Sequence, residues 1–397
     1  MANKSVYVAG VGMIPFAKPG SSKSYKEMGA EAATLAIEDC GISYETIQQV
    51  YAGYVYGDST SGQSTIYRVG MSGVPVINVN NNCSTGSTAL YLARQAIESG
   101  AMDCVLALGF EQMRPGPLGY SPWDDRPLAS ERFLERTNEI FGHPEAIRNA
   151  RYFGGAGADH MKKYGTKLST FAEVRAKASR HASKNPLALF RKQISAEEVL
   201  DSPELIPGVM TRLMACPPTC GAAAAVIVSE AFANKHGLDK RVRIRSQSMT
   251  TDQPDTFSSD MMHLVGFGMA ERASKAAYED AGIGPGDIDV LELHDCFAQN
   301  ELILYEALGL VGEGEAERFI LDGDNTYGGA IVTNPSGGLL SKGHPLGATG
   351  LAQCYELTHQ LRGSADARQV DGARLALAHN VGLGGACVVT LYEGSAA

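Results

Sequence analysis

An internal duplication constrains the fold of this chain more than any other feature of its sequence. Residues 36–47 (AIEDCGISYETI) match residues 277–288 (AYEDAGIGPGDI) at six of twelve positions, at an offset of 241. Residues 83–90 (CSTGSTAL) match residues 344–351 (HPLGATGL) at Gly, Thr and Leu positions, at an offset of 261. Because two similar segments recur in the same order, the sequence predicts two related halves. We expect these halves to pack about a pseudo-twofold axis.

Both halves alternate strand-like and helix-like segments. An apolar run opens each half (SVYVAGVGM and RVRIRSQSM) and an amphipathic helical pattern follows it. A strand, a glycine-rich turn, a helix and a further strand come next in each half. This alternation predicts parallel α/β sheets covered by helices. A length of 397 residues also exceeds the roughly 250–300 residues that one core supports, which favours more than one packed unit.

Residues 115–214 have no counterpart in the second half, and we interpret them as a mostly helical, irregular insertion. The predicted domains are therefore an N-terminal half (1–114 plus 215–238), the inserted loop domain (115–214) and a C-terminal half (239–397). Within the insertion, residues 148–192 contain 11 Lys/Arg and 2 Asp/Glu, although the whole chain has a net charge of −10. Such a basic stretch is either a solvated helical face or a cradle for an anionic ligand.

The composition excludes several classes of protein. A net charge of −10 does not suggest a nucleic-acid partner. No apolar run reaches the roughly 18 residues that a membrane-spanning helix needs, and the N-terminal apolar run is too short for a secretory signal. Eight irregularly spaced cysteines in 397 residues are not typical of a disulfide framework. We therefore expect a cytoplasmic protein without a membrane span.

Cys83 is the first candidate for chemistry. A β-type run (VPVINVN) precedes it and an amphipathic helix pattern follows it, so the thiol should lie near a helix N-terminus, where a thiolate is favoured. The alternative is a small buried hydrophobe. His344 matches Cys83 under the offset of 261, and a thiol beside an imidazole is the usual nucleophile at neutral pH. His143 lies in a second Gly-His-Pro tripeptide that opens no glycine-rich helix, so we interpret it as structural or peripheral.

Two further segments follow apolar strands. His294, Asp295 and Cys296 follow IDVLEL, at a sheet edge of the kind that binds ligands. A zinc site and a structurally satisfied histidine are the alternatives there, but no second Cys/His pair has metal-binding spacing, and the C-P-P-T-C run at 216–220 also lacks a partner pair. Gly382, in HNVGLGG, follows RLALA, and glycines at such a position let N–H groups approach a reacting oxygen.

Four motifs together resemble those of a known family. NNNCSTGS, ELHDCF, NPSGGLLSKGHPLGATG and HNVGLGGA are similar in order and spacing to the motifs of the thiolases, above all the sterol carrier protein X type. The resemblance covers nearly the whole chain. It implies an α/β protein with the five-layer α-β-α-β-α thiolase fold, built from two duplicated halves with an inserted loop domain that binds coenzyme A. It also implies a homodimer or a tetramer.

The resemblance implies a role for each matching residue. Cys83 is the nucleophile that takes the acyl group as a thioester. His344 activates that cysteine and lines a first oxyanion hole. His294 stands where most thiolases have the Asn of an N-E-A-F motif, which orients a water in the same hole. The N–H of Gly382 joins the N–H of Cys83 in a second oxyanion hole.

One position departs from the common thiolase pattern. Most thiolases have a second catalytic cysteine in a C-x-G motif near the C-terminus, where this chain has Asn380. In the resembling subfamily the H-D-C-F segment supplies the acid/base thiol, which makes Cys296 the acid/base here. No metal and no permanently bound cofactor are expected, and coenzyme A is a co-substrate. The basic residues expected to bind its phosphates are Arg148, Lys162, Lys163, Arg180 and Lys184.

The resemblance implies a 3-ketoacyl-CoA thiolase (acetyl-CoA C-acyltransferase) that cleaves 3-ketoacyl-CoA by a ping-pong mechanism. Its place is in fatty acid β-oxidation, with branched or steroid side-chain acyl-CoA substrates. A retro-aldolase on the thiolase fold and a decarboxylating ketosynthase are alternatives among enzymes. A non-catalytic acyl-CoA or lipid carrier is an alternative from another class. Eukaryotic relatives often append a small lipid-binding domain, which this sequence does not contain; we therefore expect a stand-alone cytoplasmic enzyme.

Overall fold

The computed structural model describes residues 5–116 and 129–395. Its strands are β1 (Val6–Met13), β2 (Gln49–Gly53), β3 (Val76–Val79), β4 (Cys104–Glu111), β5 (Glu204–Ile206), β6 (Met210–Thr211), β7 (Gly221–Ser229), β8 (Val242–Thr250), β9 (Val290–Glu292), β10 (Val332–Thr333), β11 (Leu375–Gly382) and β12 (Ala386–Gly394). Its helices are α1 (Tyr25–Cys40), α2 (Ser61–Ile66), α3 (Thr85–Glu98), α4 (Glu131–Phe141), α5 (Arg148–Tyr164), α6 (Leu168–Ala182), α7 (Ala196–Leu200), α8 (Glu230–His236), α9 (Asp255–Ser258), α10 (Met261–Leu264), α11 (Phe267–Ala281), α12 (Ala298–Ala307), α13 (Ala316–Leu321) and α14 (Thr349–Arg362).

The large sheet repeats one pattern in both halves of the chain. Its strand order is β10-β9-β11-β12-β8-β1-β7-β4-β2-β3, so each half contributes five consecutive strands and the two sets meet at β8 and β1. In each half two pairings are antiparallel and two are parallel. The expectation of parallel sheets is therefore correct for half of these pairings and wrong for the other half. For β11 and β12 the reason is the connection, since β12 follows β11 directly through a short turn and needs no crossover helix.

Helices cover and separate the two halves of the sheet. α1 packs on the outer face of the first half, and α11 packs on the outer face of the second. α3 and α14 lie side by side between them, in one apolar cluster with strands from both halves. The result is the expected five-layer α-β-α-β-α arrangement, which is confirmed. Capping residues define its helices: the Ser24 side chain caps α1 at its start, and Gly41, with φ 73°, ends it.

The structure keeps one of the two repeat alignments and corrects the other. Gly41 ends α1 and Gly282 ends α11, which preserves the offset of 241. α3 begins at Thr85 and α14 begins at Thr349, so the true offset there is 264 rather than 261. Under this register Cys83 corresponds to Gly347, and the alignment of Cys83 with His344 was wrong. Gly86 matches a glycine in either register, and the sequence misleads because it matches three of eight positions at offset 261 but only two at 264.

The described part of the insertion is mainly helical, with α4, α5, α6, α7 and the small β5–β6 hairpin. Part of its positive charge is internal. Arg175 and Lys177 are buried, and Lys177 Nζ lies 2.5 Å from Glu301 Oε1. The predicted domain boundaries fall between elements and stay a prediction. Among the residues that the structure describes, no helix has the length and apolar character needed to cross a bilayer.

Candidate active site

Cys83 lies at a sharp turn between β3 and α3. Asn82, just before it, adopts a left-handed backbone conformation with φ 51°. The Ser84 N–H donates to Asn81 O over 3.1 Å, and the Ser84 hydroxyl donates to the same oxygen over 2.8 Å. Thr85 Oγ1 accepts the Asn81 N–H over 2.8 Å. These bonds hold the thiol at the strand-to-helix turn, where the sequence placed it.

Two histidines from the C-terminal half meet this thiol. The Cys83 sulfur and one ring nitrogen each of His294 and His344 all lie within 4.8 Å of one another. The two imidazole rings are 4.9 Å apart and nearly perpendicular, at 86°. All three residues line a cavity of about 180 Å³ that also contains Cys296. The structure therefore brings together four of the five predicted catalytic residues in one cavity.

Hydrogen bonds fix the orientation of both imidazoles. His294 Nδ1 lies 2.8 Å from Asn380 Oδ1, an acceptor, so Nδ1 carries the proton. His344 Nδ1 lies 2.7 Å from Thr349 Oγ1, whose own hydroxyl donates to Pro345 O over 3.0 Å. Thr349 must therefore accept, and His344 Nδ1 donates. In both rings Nε2 is left with its lone pair, as a base requires.

Burial keeps the thiol and the imidazoles neutral. Burial, with a smaller contribution from the Glu111 carboxylate, raises the pKa of the Cys83 thiol to about 12. This direction is opposite to the lowering expected from the helix N-terminus, because desolvation disfavours the charged thiolate. Burial also lowers the pKa of His294 to about 4 and that of His344 well below its usual value. Both imidazoles are therefore neutral, and each keeps a lone pair that a proton can occupy.

A third cysteine, missed as a site residue, lies beside Cys296. The Cys216 N–H donates to Cys296 O over 2.9 Å, next to an antiparallel bridge between Ala215 and Phe297. Cys216 and Cys296 both line the cavity. Burial, followed by the neighbouring Cys216 and Cys83 thiols, raises the pKa of Cys296 well above its usual value. Cys296 is therefore protonated and able to donate. The C-P-P-T-C run was the available signal for Cys216.

Asp295 connects the H-D-C-F segment by hydrogen bonds to the segment that carries His344. Its carboxylate accepts the Leu339 N–H over 2.7 Å and the Leu340 N–H over 3.4 Å, at the start of a π-helical turn. That turn ends at Lys342, two residues before His344. The position of Asp295 at the end of a strand is visible in the sequence, but this contact is not. The carboxylate thereby couples the positions of His294, Cys296 and His344.

Gly382 contacts the nucleophile turn from the other half. A Cβ atom at this position would lie 2.1 Å from Asn81 O, so only glycine allows the observed approach. The next residue, Leu383, accepts a hydrogen bond from Asn82 Nδ2 over 2.9 Å. Gly382 itself lines the groove beside the main cavity, whereas Leu383 lines both. The glycine segment is therefore placed directly against the backbone that holds Cys83.

Both halves of the chain match models of a known protein family. Residues 6–231 match the thiolase N-terminal domain, and residues 252–392 match the thiolase C-terminal domain-like family. The chain belongs to the thiolase family. The recognition from the four motifs is thereby confirmed.

A protein named as a carrier is similar to this thiolase in sequence, and structures titled as enzymes share its fold. Sterol carrier protein 2 of Bos taurus is 51% identical over 392 residues, which cover 98% of this chain and 72% of the bovine protein. The structure titled Ltp2-ChsH2(DUF35) aldolase superposes with a TM-score of 0.80 at 22% identity, covering 98% of both chains. Human mitochondrial 3-ketoacyl-CoA thiolase superposes with a TM-score of 0.74 at 20% identity, covering 99% of both chains. At such identities the two structures show the fold alone.

The five predicted coenzyme A ligands do not lie together in this thiolase. Arg148 begins α5, donates to Ser130 Oγ over 3.3 Å and lines the cavity. The remaining predicted ligands are exposed and do not line it. Lys163 lies near the other end of α5, about 22 Å along the helix axis, where it pairs with Glu313. Lys184 lies over the Tyr327 ring. The other two are Lys162, beside Lys163, and Arg180, near the end of α6.

His143 lies outside this site. It is exposed, in the segment between α4 and α5, and it does not line the cavity. Its tripeptide Gly-His-Pro is the same as that of His344, yet only His344 is buried beside Cys83. The two copies therefore provide a matched pair for experiments.

Proposed function

We propose that this thiolase is a 3-ketoacyl-CoA thiolase, an acetyl-CoA C-acyltransferase that works by a ping-pong mechanism through a thioester on Cys83. The observation that supports it most is the group of Cys83, His294 and His344, with one donor atom each within 4.8 Å of the others, in a cavity that also holds the Cys296 thiol. Thiolysis needs a nucleophile, a base for it and a separate proton donor.

In the first half-reaction the Cys83 sulfur attacks the 3-keto carbon while its proton moves to His344 Nε2. The bond between C2 and C3 breaks, and the departing acetyl-CoA (or propionyl-CoA) enolate takes the proton of Cys296. In the second half-reaction the coenzyme A thiol gives its proton to the Cys296 thiolate and attacks the thioester. Cys83 leaves and recovers its proton from His344, so the protein returns to its starting state.

Two oxyanion holes supply the electrophilic stabilisation in this proposal. His344, with a water oriented by His294, stabilises the oxygen of the thioester enolate. The N–H groups of Cys83 and Gly382 stabilise the oxygen on the tetrahedral carbon attached to Cys83. The close approach of Gly382 to the turn before Cys83 supports the second pairing.

The acyl chain is accommodated by an apolar wall. We propose branched or steroid side-chain 3-ketoacyl-CoA as the substrate class, in degradative lipid metabolism, and the similarity to sterol carrier protein 2 supports it. A thiolysis assay over straight, 2-methyl-branched and steroid side-chain substrates tests this choice. The apolar lining includes Met113, Ile147, Phe153, Phe297, Leu346, Val381 and Leu383.

Coenzyme A binding is proposed for the basic stretch 148–192, with Arg148 best placed because it lines the cavity. Raising the ionic strength should weaken coenzyme A binding, because exposed charge pairs are screened. Arg148→Glu should raise KM for coenzyme A more than Lys163→Glu, whose side chain already pairs with Glu313. If KM is indifferent to salt and to both changes, the stretch is a solvated face.

The edge strand β3 supports a homodimer. It is the terminal strand of the sheet, with Ile77 exposed, and the nearby Tyr67 and Met71 side chains are 54% and 79% exposed. An exposed apolar strand edge pairs readily with a second copy. Sedimentation equilibrium separates dimer from tetramer, and Met71→Lys should shift the equilibrium toward the monomer. A cytoplasmic location stays part of the proposal.

One measurement separates thiolysis from the alternatives. Mixing with acetyl-CoA in the absence of free coenzyme A should place an acetyl group on the peptide that contains Cys83, as seen by mass spectrometry. A retro-aldolase and a carrier would leave Cys83 unmodified, and a carrier would still bind acyl-CoA. An adduct on another cysteine, with Cys83 free, would overturn the mechanism.

A further inference from the structure

The three side chains that meet in the cavity carry donor atoms of the kinds that also bind metal ions. A thiol and two imidazoles, from Cys83, His294 and His344, are the donor types that Zn²⁺ prefers. Their donor atoms lie within 4.8 Å of one another. His344 is buried, and its Nε2 atom has no hydrogen-bond partner among the described residues. A buried polar atom without a partner is costly, so this lone pair is available to a ligand.

The hydrogen bonds around the histidines are those that support metal ligation. Metal-binding histidines almost always donate their second ring N–H to a fixed acceptor, which sets the tautomer and the ring orientation. Here Asn380 Oδ1 accepts from His294, and Thr349 Oγ1 accepts from His344. Both Nε2 lone pairs are thereby left free without any rearrangement of the acceptors.

We propose that Zn²⁺ binds reversibly to Cys83, His294 and His344 and thereby blocks the Cys83 sulfur. This inference does not rest on the proposed function, because the site consists of the three donors alone. Ligation replaces the Cys83 S–H bond by a Zn–S bond, and the proton passes to the solvent. No oxidant or reductant is needed. The bound thiolate is withdrawn from acylation, so the metal and the acyl group compete for the same sulfur.

The geometry requires a small closure. Zn–N and Zn–S bonds of about 2.1 and 2.3 Å in a tetrahedron place ligand atoms about 3.5 Å apart. The present separations of up to 4.8 Å therefore have to shrink by at most about 1.3 Å. Small rotations of three side chains can supply this. The cavity of about 180 Å³ that the three residues line has room for a water as a fourth ligand.

Binding is tested with the metal-free protein, using Co²⁺ as a spectroscopic probe and Zn²⁺ in competition with a chromogenic chelator. We expect one equivalent per chain and a thiolate-to-cobalt charge-transfer band that Zn²⁺ displaces. Cys83→Ser should abolish the band. His344→Asn should weaken Zn²⁺ binding more than tenfold, and Thr349→Val should weaken it about 10–100-fold through loss of the supporting acceptor. His143→Ala, in the second Gly-His-Pro tripeptide, should bind as the unchanged protein does.

A second measurement uses only the unchanged protein and does not depend on any variant folding. Zn²⁺ should slow iodoacetamide alkylation of Cys83, and a chelator should restore the original rate. The proposal is overturned if alkylation is unaffected by saturating Zn²⁺, or if the cobalt band survives in Cys83→Ser. Neither measurement needs turnover. A protein that binds Zn²⁺ here but forms no acyl adduct would contradict the proposed function and leave this proposal standing.

Discussion

Gly382→Ala tests whether the glycine segment of the C-terminal half must touch the turn that holds the nucleophile. The added Cβ would lie 2.1 Å from Asn81 O and 2.8 Å from Ser84 Oγ, whereas ordinary contacts begin at 3.4 Å. The Asn81 carbonyl must therefore move away by about 1.3 Å. Because that oxygen accepts both the N–H and the hydroxyl of Ser84, its displacement moves the turn that holds Cys83.

The magnitude of the effect follows from this displacement. A shift of about 1 Å in a catalytic group can cost about 10²-fold in rate. Forcing one extra methyl group into a packed site costs about 1–3 kcal/mol of unfolding free energy. We therefore expect Gly382→Ala to remain folded while acylation of Cys83 slows about 10²-fold.

The assay is rapid-quench mass spectrometry of acetyl transfer to Cys83, beside urea unfolding of the same protein. Gly286→Ala is the matched control, because a Cβ atom at Gly286 meets nothing within 4 Å. Gly286→Ala should change neither the rate of acetyl transfer to Cys83 nor the free energy of unfolding. The reasoning is refuted if Gly382→Ala is acylated at the rate of the unchanged protein.

Three further predictions follow from the buried groups. Cys296→Ala should slow thiolysis about 10²–10⁴-fold yet leave iodoacetamide alkylation of Cys83 near its original rate; full thiolysis would remove Cys296 from the mechanism. Lys177→Met leaves the buried Glu301 carboxylate without its 2.5 Å partner and should cost about 3–5 kcal/mol in urea unfolding, whereas Lys163→Met, at an exposed pair, should cost under about 1 kcal/mol. His294 has a pKa lowered to about 4 in the folded protein, so between pH 6.5 and 4 the unfolded chain binds a proton that the folded one does not. As the pH is lowered through this range, the free energy of unfolding should decrease by about 1.4 kcal/mol per pH unit because of this residue. The His294→Asn variant should show a smaller decrease over the same range.

The sequence predicts those features whose signals are local. The α/β alternation, and the helix ends at Gly41 and Gly282, follow from apolar periodicity and glycine C-caps, which need no knowledge of distant contacts. Cys83 and His294 are also found at the ends of strand-like runs. The antiparallel pairing of β12 was missed because the alternation of segments does not reveal which connections lack a crossover helix.

The remainder depends on contacts between residues far apart in the chain. The pKa of Cys83 was expected to fall because the helix N-terminus is visible in the sequence, whereas the burial that raises it to about 12 is not. The contact of Cys216 with Cys296 joins residues 80 positions apart. The coenzyme A ligands were chosen from a run of charge, and helix α5 places two of them, Arg148 and Lys163, about 22 Å apart.

The duplication explains how a cysteine and a histidine can meet without a local motif. α3 holds Cys83 before its first turn, and α14 follows the segment that carries His344. The starts of the two helices touch: a Cβ atom on Gly86 would lie 2.8 Å from Gly347 O, and one on Gly350 would lie 2.1 Å from Ser87 Oγ. Both glycines are equivalent under the offset of 264, so the pseudo-twofold axis passes between them. A reactive centre on such an axis takes its nucleophile from one half and its base from the other. Neither half alone contains both Cys83 and His344. Substitutions that move the starts of α3 and α14 apart should therefore abolish acylation of Cys83 before they unfold either half.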